Sequence, residues 1–595
     1  LKKVLFILLA FVFVLGMGLI GCEGEGEGEG IPLLNPDDFI QETIGDLDSL
    51  DPAWGYDTAS GEQVQYIYET LLIYDGTSTD TFLPALATNW TVVNATQIRF
   101  TIKEGVSFHE GGTLTPEDVE YSFERMMVQD RGGGPAWMIN LPLLGTYRTR
   151  TGAVITTDGE DIDNAVEVDG NEVVFNFAIE FPMVQWLQIL VQPWGSILDK
   201  EWCVTNGEWD PATDPLSGEG WKDYNNPAKA DSYLYNHANG TGPWEFDTWE
   251  PGEYVRLTEN ADYWRGAPPF GLVVTKFNDE YTSRRLSLLN GDADLIYVPR
   301  QYIGDLEGNA DLNAYSDLPA LQNTCIFFNF SIDPDSDFIG SGALDGDGIP
   351  PDFFTDEHVR KGFCYAFDYD TFIADAFLGE ATQMGNPLVD GLLGYDANAA
   401  KYSHCLTAAA AELDLAWGGN VSSLGFKFTV TYNSGNIERK TGCEILAEQL
   451  LAIDPKYQVA IQPLTWPTFL DNIFLEDPGV HKGPLPLFQI GWLADYPDPD
   501  NFITPYMHSY GDWAYYQDYG YPSLDTKIET ARYETDDATR VTLYAEICDI
   551  YHEDAPGIML CQGLGRRWFT KYIHGFYFNP TIPGPPGPLY YMDKY

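Results

Sequence analysis

The run Gly491-Trp492-Leu493-Ala494-Asp495-Tyr496-Pro497-Asp498-Pro499-Asp500-Asn501-Phe502-Ile503 follows a short apolar strand, Leu485-Pro486-Leu487-Phe488-Gln489-Ile490. A strand that delivers Trp492 and Asp495 into a loop with two prolines places one carboxylate beside an aromatic wall. Proline fixes φ and lowers the entropy lost when such a loop is ordered. A lone carboxylate so placed suits the capture of a cationic group, such as a peptide's amino terminus, better than it suits catalysis. An enclosed ammonium loses several kcal/mol of hydration, roughly, and needs a carboxylate and further acceptors in return. Asp495 could instead cap the Tyr-Pro-Asp-Pro turn, and Trp492 could be a core tryptophan. Asp498 and Asp500 read as turn residues.

A second group of carboxylates lies at Asp333-Pro334-Asp335-Ser336-Asp337 and Leu344-Asp345-Gly346-Asp347-Gly348-Ile349-Pro350-Pro351-Asp352. Acids alternating with glycine turns can wrap a hard cation through several oxygens, so Asp345, Asp347 and Asp352 are candidate ligands of a structural calcium ion. The full EF-hand loop with its terminal Glu is missing, and a solvated acidic loop fits the same residues. No other cofactor is expected. There is no H-E-x-x-H, G-x-S-x-G or P-loop, and the chain does not read as an enzyme. Apart from Cys22 there are seven cysteines and no C-x-x-C, which argues against a zinc ribbon or thioredoxin-type site. In an exported chain some of the seven are expected to pair.

The net charge of −58 speaks against nucleic acid as a partner, since phosphates would be repelled. Residues 1–22 read as a signal segment. Lys2 and Lys3 precede the apolar run Val4 to Ile20, and Leu19-Ile20-Gly21-Cys22 has the form of a bacterial lipobox with Cys22 as the acylated residue. An apolar run of about 17 residues is at the lower limit for spanning a bilayer, which leaves a membrane anchor as the other reading. Glu23 to Gly30 alternates Glu and Gly, a flexible tether. The remainder is expected to be exported, extracytoplasmic and soluble, held at the cell membrane by the lipid.

The elements that must carry these groups are mixed. Val64, Ile67, Tyr68, Leu71 and Leu72 predict a helix over Gln63 to Tyr74, and Gln97 to Ile102 alternates as a half-buried strand. Gly111-Gly112 turns the chain. Thr115-Pro116-Glu117-Asp118 opens a helix with Thr115 as N-cap and Pro116 in its first position. The Pro/Gly-rich tail from Pro580 to Pro588 reads as an extended strap lying in solvent. Helices and strands stay interleaved to the end, which predicts α/β lobes, and the length predicts two or three domains.

Several stretches resemble, in order, the family 5 extracellular solute-binding proteins, the dipeptide, oligopeptide and nickel receptors of ABC importers. They are Tyr68-Glu69-Thr70-Leu71-Leu72, Phe100 to Gly111, Leu114 to Arg125, Gly240-Thr241-Gly242-Pro243-Trp244, Asn260 with Tyr263-Trp264, Arg284 with Gly291-Asp292-Ala293-Asp294, Tyr365-Ala366-Phe367-Asp368, and the run around Asp495. The resemblance implies a type II periplasmic-binding-protein fold (cluster C), with an extra domain and a cleft between two lobes. Domain I would comprise 31–72, 235–320 and 562–595, domain II 73–234, and domain III 321–561, with crossings near 320 and 561. It further implies a monomer that captures di- or oligopeptides and delivers them to permease subunits in the membrane. An oligosaccharide or nickel-chelate receptor on the same scaffold is the alternative. By the same resemblance Asp495 would take a peptide's α-ammonium, Trp492 would flank it, and Asn433 would approach the ligand. No positively charged partner for a ligand carboxylate stands out in the sequence; Arg439 and Arg360 are the nearest candidates, and each reads more readily as structural.

Overall fold

The computed structural model describes residues 30–475, 482–584 and 588–595. Cys22, the lipobox and nearly all of the tether lie outside the described residues. No helix among the described residues is long and apolar enough to cross a membrane.

Two large sheets carry the molecule. A seven-stranded sheet has the spatial order Trp244–Glu250, Tyr254–Glu259, Leu272–Phe277, Asp38–Thr43, Leu295–Ile296, Gly565–Thr570, Leu312–Leu318. Its strands come from three separate stretches of the chain. A six-stranded sheet has the order Ala381–Gln383, Gly557–Gly563, Gln322–Phe328, Leu487–Leu493, Phe426–Asn433, Tyr457–Leu464. The chain passes from the first sheet to the second through residues 319–321 and returns through Leu564. A third, four-stranded antiparallel sheet (Ala87–Asn94, Gln97–Ile102, Glu172–Asn176, Val166–Asp169) packs against the helix Pro116–Gln129. Helices and strands interleave as α/β lobes, in agreement with the expected fold class.

Local rules account for much of this. Gln97–Ile102 is the expected strand, with Ile98, Phe100 and Ile102 buried. Pro116–Gln129 begins where its signals place it, and the Asp118 carboxylate accepts from both the amide and the hydroxyl of Thr115, at 2.8 and 2.9 Å. Gly111 and Gly112 both take positive φ, 96° and 89°, at the turn.

Several expectations are corrected. The helix expected over Gln63 to Tyr74 is instead Thr58–Ile67, capped by the Asp57 carboxylate, and Leu72–Tyr74 is a strand paired with Phe82–Pro84. Leu71 and Leu72 are fully buried, and a continuous apolar run fits a buried strand as well as a helix face. The described part of the tail, residues 580–584 and 588, does not lie free in solvent: Thr581 is 1% exposed and, with Pro583, lines a cavity. The seven described cysteines are all free, and all but Cys405 are buried. They serve as packing groups. The Cys325 sulfur meets the Tyr551 hydroxyl and the Cys364 thiol faces the Gly557 carbonyl.

Three of the stretches that carried the family resemblance meet at one buried carboxylate. Glu69 accepts from Thr241 Oγ1 (2.9 Å), Tyr263 Oη (2.8 Å) and Trp264 Nε1 (2.7 Å). The amide of Gly242 donates to the Ile67 carbonyl at 2.9 Å. A Cβ on Gly240 would stand 2.0 Å from that same carbonyl oxygen, so only glycine permits the approach. A second buried knot ties Arg125 to Asp51 and Glu208, with the closest N–O distances at 2.6 and 2.7 Å. Both knots serve the scaffold.

Candidate ligand-binding site

The strand Leu487–Leu493 runs through Trp492 and stops two residues before Asp495. Helix Asp500–Met507 then holds what the strand delivers. Asn501 on this helix donates Nδ2 to Asp495 Oδ2 at 2.8 Å, while its Oδ1 accepts from the Asp495 amide (2.8 Å) and from Trp492 Nε1 (3.1 Å). One asparagine thus orients both the carboxylate and the indole. Asp498 and Asp500 do more than turn the chain: Asp498 forms a bidentate pair with Arg540, and Asp500 a buried pair with Arg532.

Contacts from other parts of the chain complete the surroundings of Asp495. Tyr56 Oη donates to Oδ2 at 2.7 Å, and Gln192 Nε2 donates to the Asp495 carbonyl at 2.6 Å. Asp495 is 4% exposed and forms no ion pair among the described residues. Burial pushes its carboxyl up to about 7, against the opposing hydrogen bonds from Asn501 and Tyr56. Asp512, also buried, is pushed up to about 7, in part by the charge on Asp495. A desolvated carboxylate with only neutral donors has not been compensated, and a cation is what compensates it.

A cavity of about 100 Å3 opens at Asp495, with Tyr56, Trp194, Trp466, Phe474, Trp492 and Trp513 among its walls. The Trp492 ring stands edge-on to Tyr56 and to Trp513, each with centroids 5.7 Å apart. Its only N–H is spent on Asn501, so it offers the cavity an apolar surface. Asn433 ends the strand Phe426–Asn433 and borders a larger cavity of about 400 Å3. Arg439 borders both cavities. It donates Nη1 to Asn433 Oδ1 at 2.8 Å, lies over the Trp466 ring at 5.4 Å, and has no carboxylate partner within ion-pair distance among the described residues. Burial lowers its guanidinium to about 10.

The structure therefore brings Asp495, Trp492, Asn433 and Arg439 to one cleft. Arg360 is elsewhere, donating to the carbonyls of Phe354, Thr355 and Asp554. The acidic insertion does not assemble. Asp345 Oδ1 accepts from the Ser341 hydroxyl and the Asp347 amide, and Asp345, Asp347 and Asp352 are all exposed. Among the described residues the one group of three acids whose ligand atoms lie within 4.8 Å of one another is Asp118, Asp199 and Glu201. Turn hydrogen bonds organise the Asp345 loop locally, so its carboxylates have no need to converge. Sequence reasoning missed Tyr56, Gln192 and Thr581. Asn501 was within the quoted motif, and its place six residues after Asp495 was the available signal.

Residues 81–514 match the family model of the bacterial extracellular solute-binding proteins, family 5. The chain belongs to this family. Among individual proteins, it is 25% identical over 548 residues to the probable D,D-dipeptide-binding periplasmic protein DdpA of Escherichia coli strain K12, covering 90% of each chain. Its fold matches the oligopeptide-binding protein AppA of Bacillus subtilis, solved in complex with a nonapeptide, with a TM-score of 0.74, 20% identity, and 94% and 99% of the two chains covered. It also matches the periplasmic binding protein DppA of Helicobacter pylori, solved with the peptide STSA, with a TM-score of 0.71, 21% identity, and 94% and 98% covered. As a family 5 member the chain has the type II periplasmic-binding-protein fold, and the family is one of binding proteins.

Proposed function

We propose that this family 5 protein is the receptor of an ABC importer, encloses a short peptide between its lobes and hands it to permease subunits. In this reading it acts as a monomer, performs no covalent chemistry, and is held outside the cytoplasm at the membrane by a lipid on Cys22. The observation that carries the peptide reading is the buried, uncompensated Asp495 carboxylate in an aromatic-walled cavity. A ligand α-ammonium takes the place of the missing cation, with Tyr56 and Asn501 holding the carboxylate in position. Arg439, which borders the same cavity, is the counter-group for the ligand's terminal carboxylate, steadied by Asn433 and the Trp466 face. Peptides bound in two structural relatives support the reading.

Calorimetric titration with Ala-Ala and with N-acetyl-Ala-Ala tests it. The free amine binds and the acetylated peptide does not, because acetylation removes the charge that Asp495 requires. Equal binding of both would reject the assignment of Asp495.

A further inference from the structure

The smaller cavity divides into a polar mouth and an apolar interior. Thr58, Gln322 and Arg439 lie where it shares walls with the larger cavity, together with Trp466, Gly491 and Leu493. The inner wall is a series of rings in contact, Trp194, Tyr56, Trp492, Trp513 and Phe474, with successive centroids 4.8, 5.7, 5.7 and 5.5 Å apart. Leu470, Ile490 and Pro583 add to the apolar lining. The polar edges of this wall are spent elsewhere. Tyr56 donates to Asp495, and Trp492 to Asn501. Asp57 Oδ1 caps the helix Thr58–Ile67 and accepts from Trp466 Nε1 at 2.9 Å, while Oδ2 is buried. The Thr581 hydroxyl donates to Asn579 Oδ1 at 2.9 Å. The N–H groups of Trp194 and Trp513 are buried rather than open to the cavity. Among the described residues, Asp495 is the one charged side chain that the interior leaves for a ligand.

This division decides where a ligand's first side chain goes. With its ammonium on Asp495 and its carboxylate on Arg439, a peptide runs from the interior to the mouth. Its first Cβ is two bonds from the ammonium nitrogen, so the first side chain stays among the rings. We propose that the interior of the smaller cavity is the subsite for that side chain, and that the ligand class is peptides beginning with Val, Leu or Ile. The inference rests on the ammonium reading of Asp495. An aliphatic side chain leaves water for a wall of its own polarity, and each buried methylene strengthens binding about fourfold. A hydroxyl in the same place gives up its water with no partner in return. Volume sets the upper limit. A dry cavity of about 150 Å3 holds a benzene ring, whereas this one is about 100 Å3 and must also hold the ammonium.

The test is calorimetric titration of the full chain at pH 7.5 with Ala-Ala, Val-Ala, Thr-Ala and Phe-Ala. Val-Ala is expected to bind about tenfold more tightly than Ala-Ala and than Thr-Ala, its near-isostere. Phe-Ala is expected to bind more weakly than Val-Ala, because its ring exceeds the space. In Phe474→Ala, with folding checked by its melting curve, Phe-Ala is expected to gain about tenfold over its wild-type affinity. Equal binding of Val-Ala and Thr-Ala by the wild type overturns the subsite and leaves the ammonium reading standing. Phe-Ala binding as tightly as Val-Ala overturns the ligand class in the same way. A folded Phe474→Ala that gains nothing for Phe-Ala puts the first side chain elsewhere and overturns the subsite. The wild-type series decides the proposal by itself if the variant does not fold. Failure of all four peptides to bind overturns the peptide reading and the subsite with it.

Discussion

The phenolic oxygen of Tyr56 lies 2.7 Å from Asp495 Oδ2, a hydrogen bond between residues 439 positions apart. It ties the segment just before the helix Thr58–Ile67 to the loop after the strand Leu487–Leu493. A second bond runs alongside it, from Trp466 Nε1 to Asp57 Oδ1 at 2.9 Å. Two segments more than 400 positions apart are therefore fastened together at the candidate ammonium partner.

Asp495→Asn tests the charge with little change of shape. Peptide affinity is expected to drop by at least a hundredfold, about 3 kcal/mol, as when one partner of a buried ion pair is removed. Calorimetry reads the affinity and a melting curve reads the fold. Unchanged affinity would remove Asp495 from the site.

The same carboxyl predicts a pH dependence. Its folded-state value of about 7 lies above the ordinary carboxylate range, so between about pH 4 and 7 the folded state holds a proton that the unfolded state has lost. Stability of the ligand-free protein therefore falls as pH rises through that window, and Asp495→Asn recovers part of the loss at pH 8. Asp512 and Glu62, both also at about 7, contribute with the same sign. Affinity for a peptide ammonium runs the other way, weakening as pH drops below about 7. Melting curves and titrations at pH 5 to 8 check both trends; an Asn variant with the wild-type pH profile would refute them.

Tyr56→Phe deletes one donor to Asp495 and keeps the ring against Trp194 and Trp492. Hydrogen bonds to charged groups contribute about 1.5–3 kcal/mol, so affinity is expected to weaken by about tenfold or more. The pH midpoint of binding moves upward as well, because the Tyr56 bond lowers the Asp495 value. Stopped-flow dissociation should show most of the change in the release rate.

Glu69→Ala addresses the scaffold. It leaves the Tyr263 hydroxyl, the Trp264 N–H and the Thr241 hydroxyl without their acceptor in a buried site. A loss of about 2–4 kcal/mol in denaturant unfolding is expected, at about 1–3 kcal/mol for each group left unsatisfied and with partial relaxation. Ligand affinity of the folded fraction should be unchanged. A variant that kept its stability but lost binding would place Glu69 in the site instead.

Local information in the chain determined a good deal. The cap at Thr115, the strand Gln97–Ile102, the glycine turn and the delivery of Asp495 beside Trp492 all depend on neighbours within a few residues, where spacing carries the physics. The ordered stretches of family resemblance also sufficed for the fold class, and within them Tyr263 meets Glu69 while Gly240 packs on the Ile67 carbonyl. What spacing does not contain is which distant groups share a cavity. Tyr56 and Gln192 reach Asp495 across 439 and 303 positions, and Arg567 reaches the second cavity from beyond the last crossing between the sheets. Only the packed lobes decided that Asp495 is desolvated and has no ion-pair partner among the described residues, that Arg439 borders the same cavity, and that the Asp345 loop stays open. Burial and charge compensation belong to the assembled volume, and no single segment carries them.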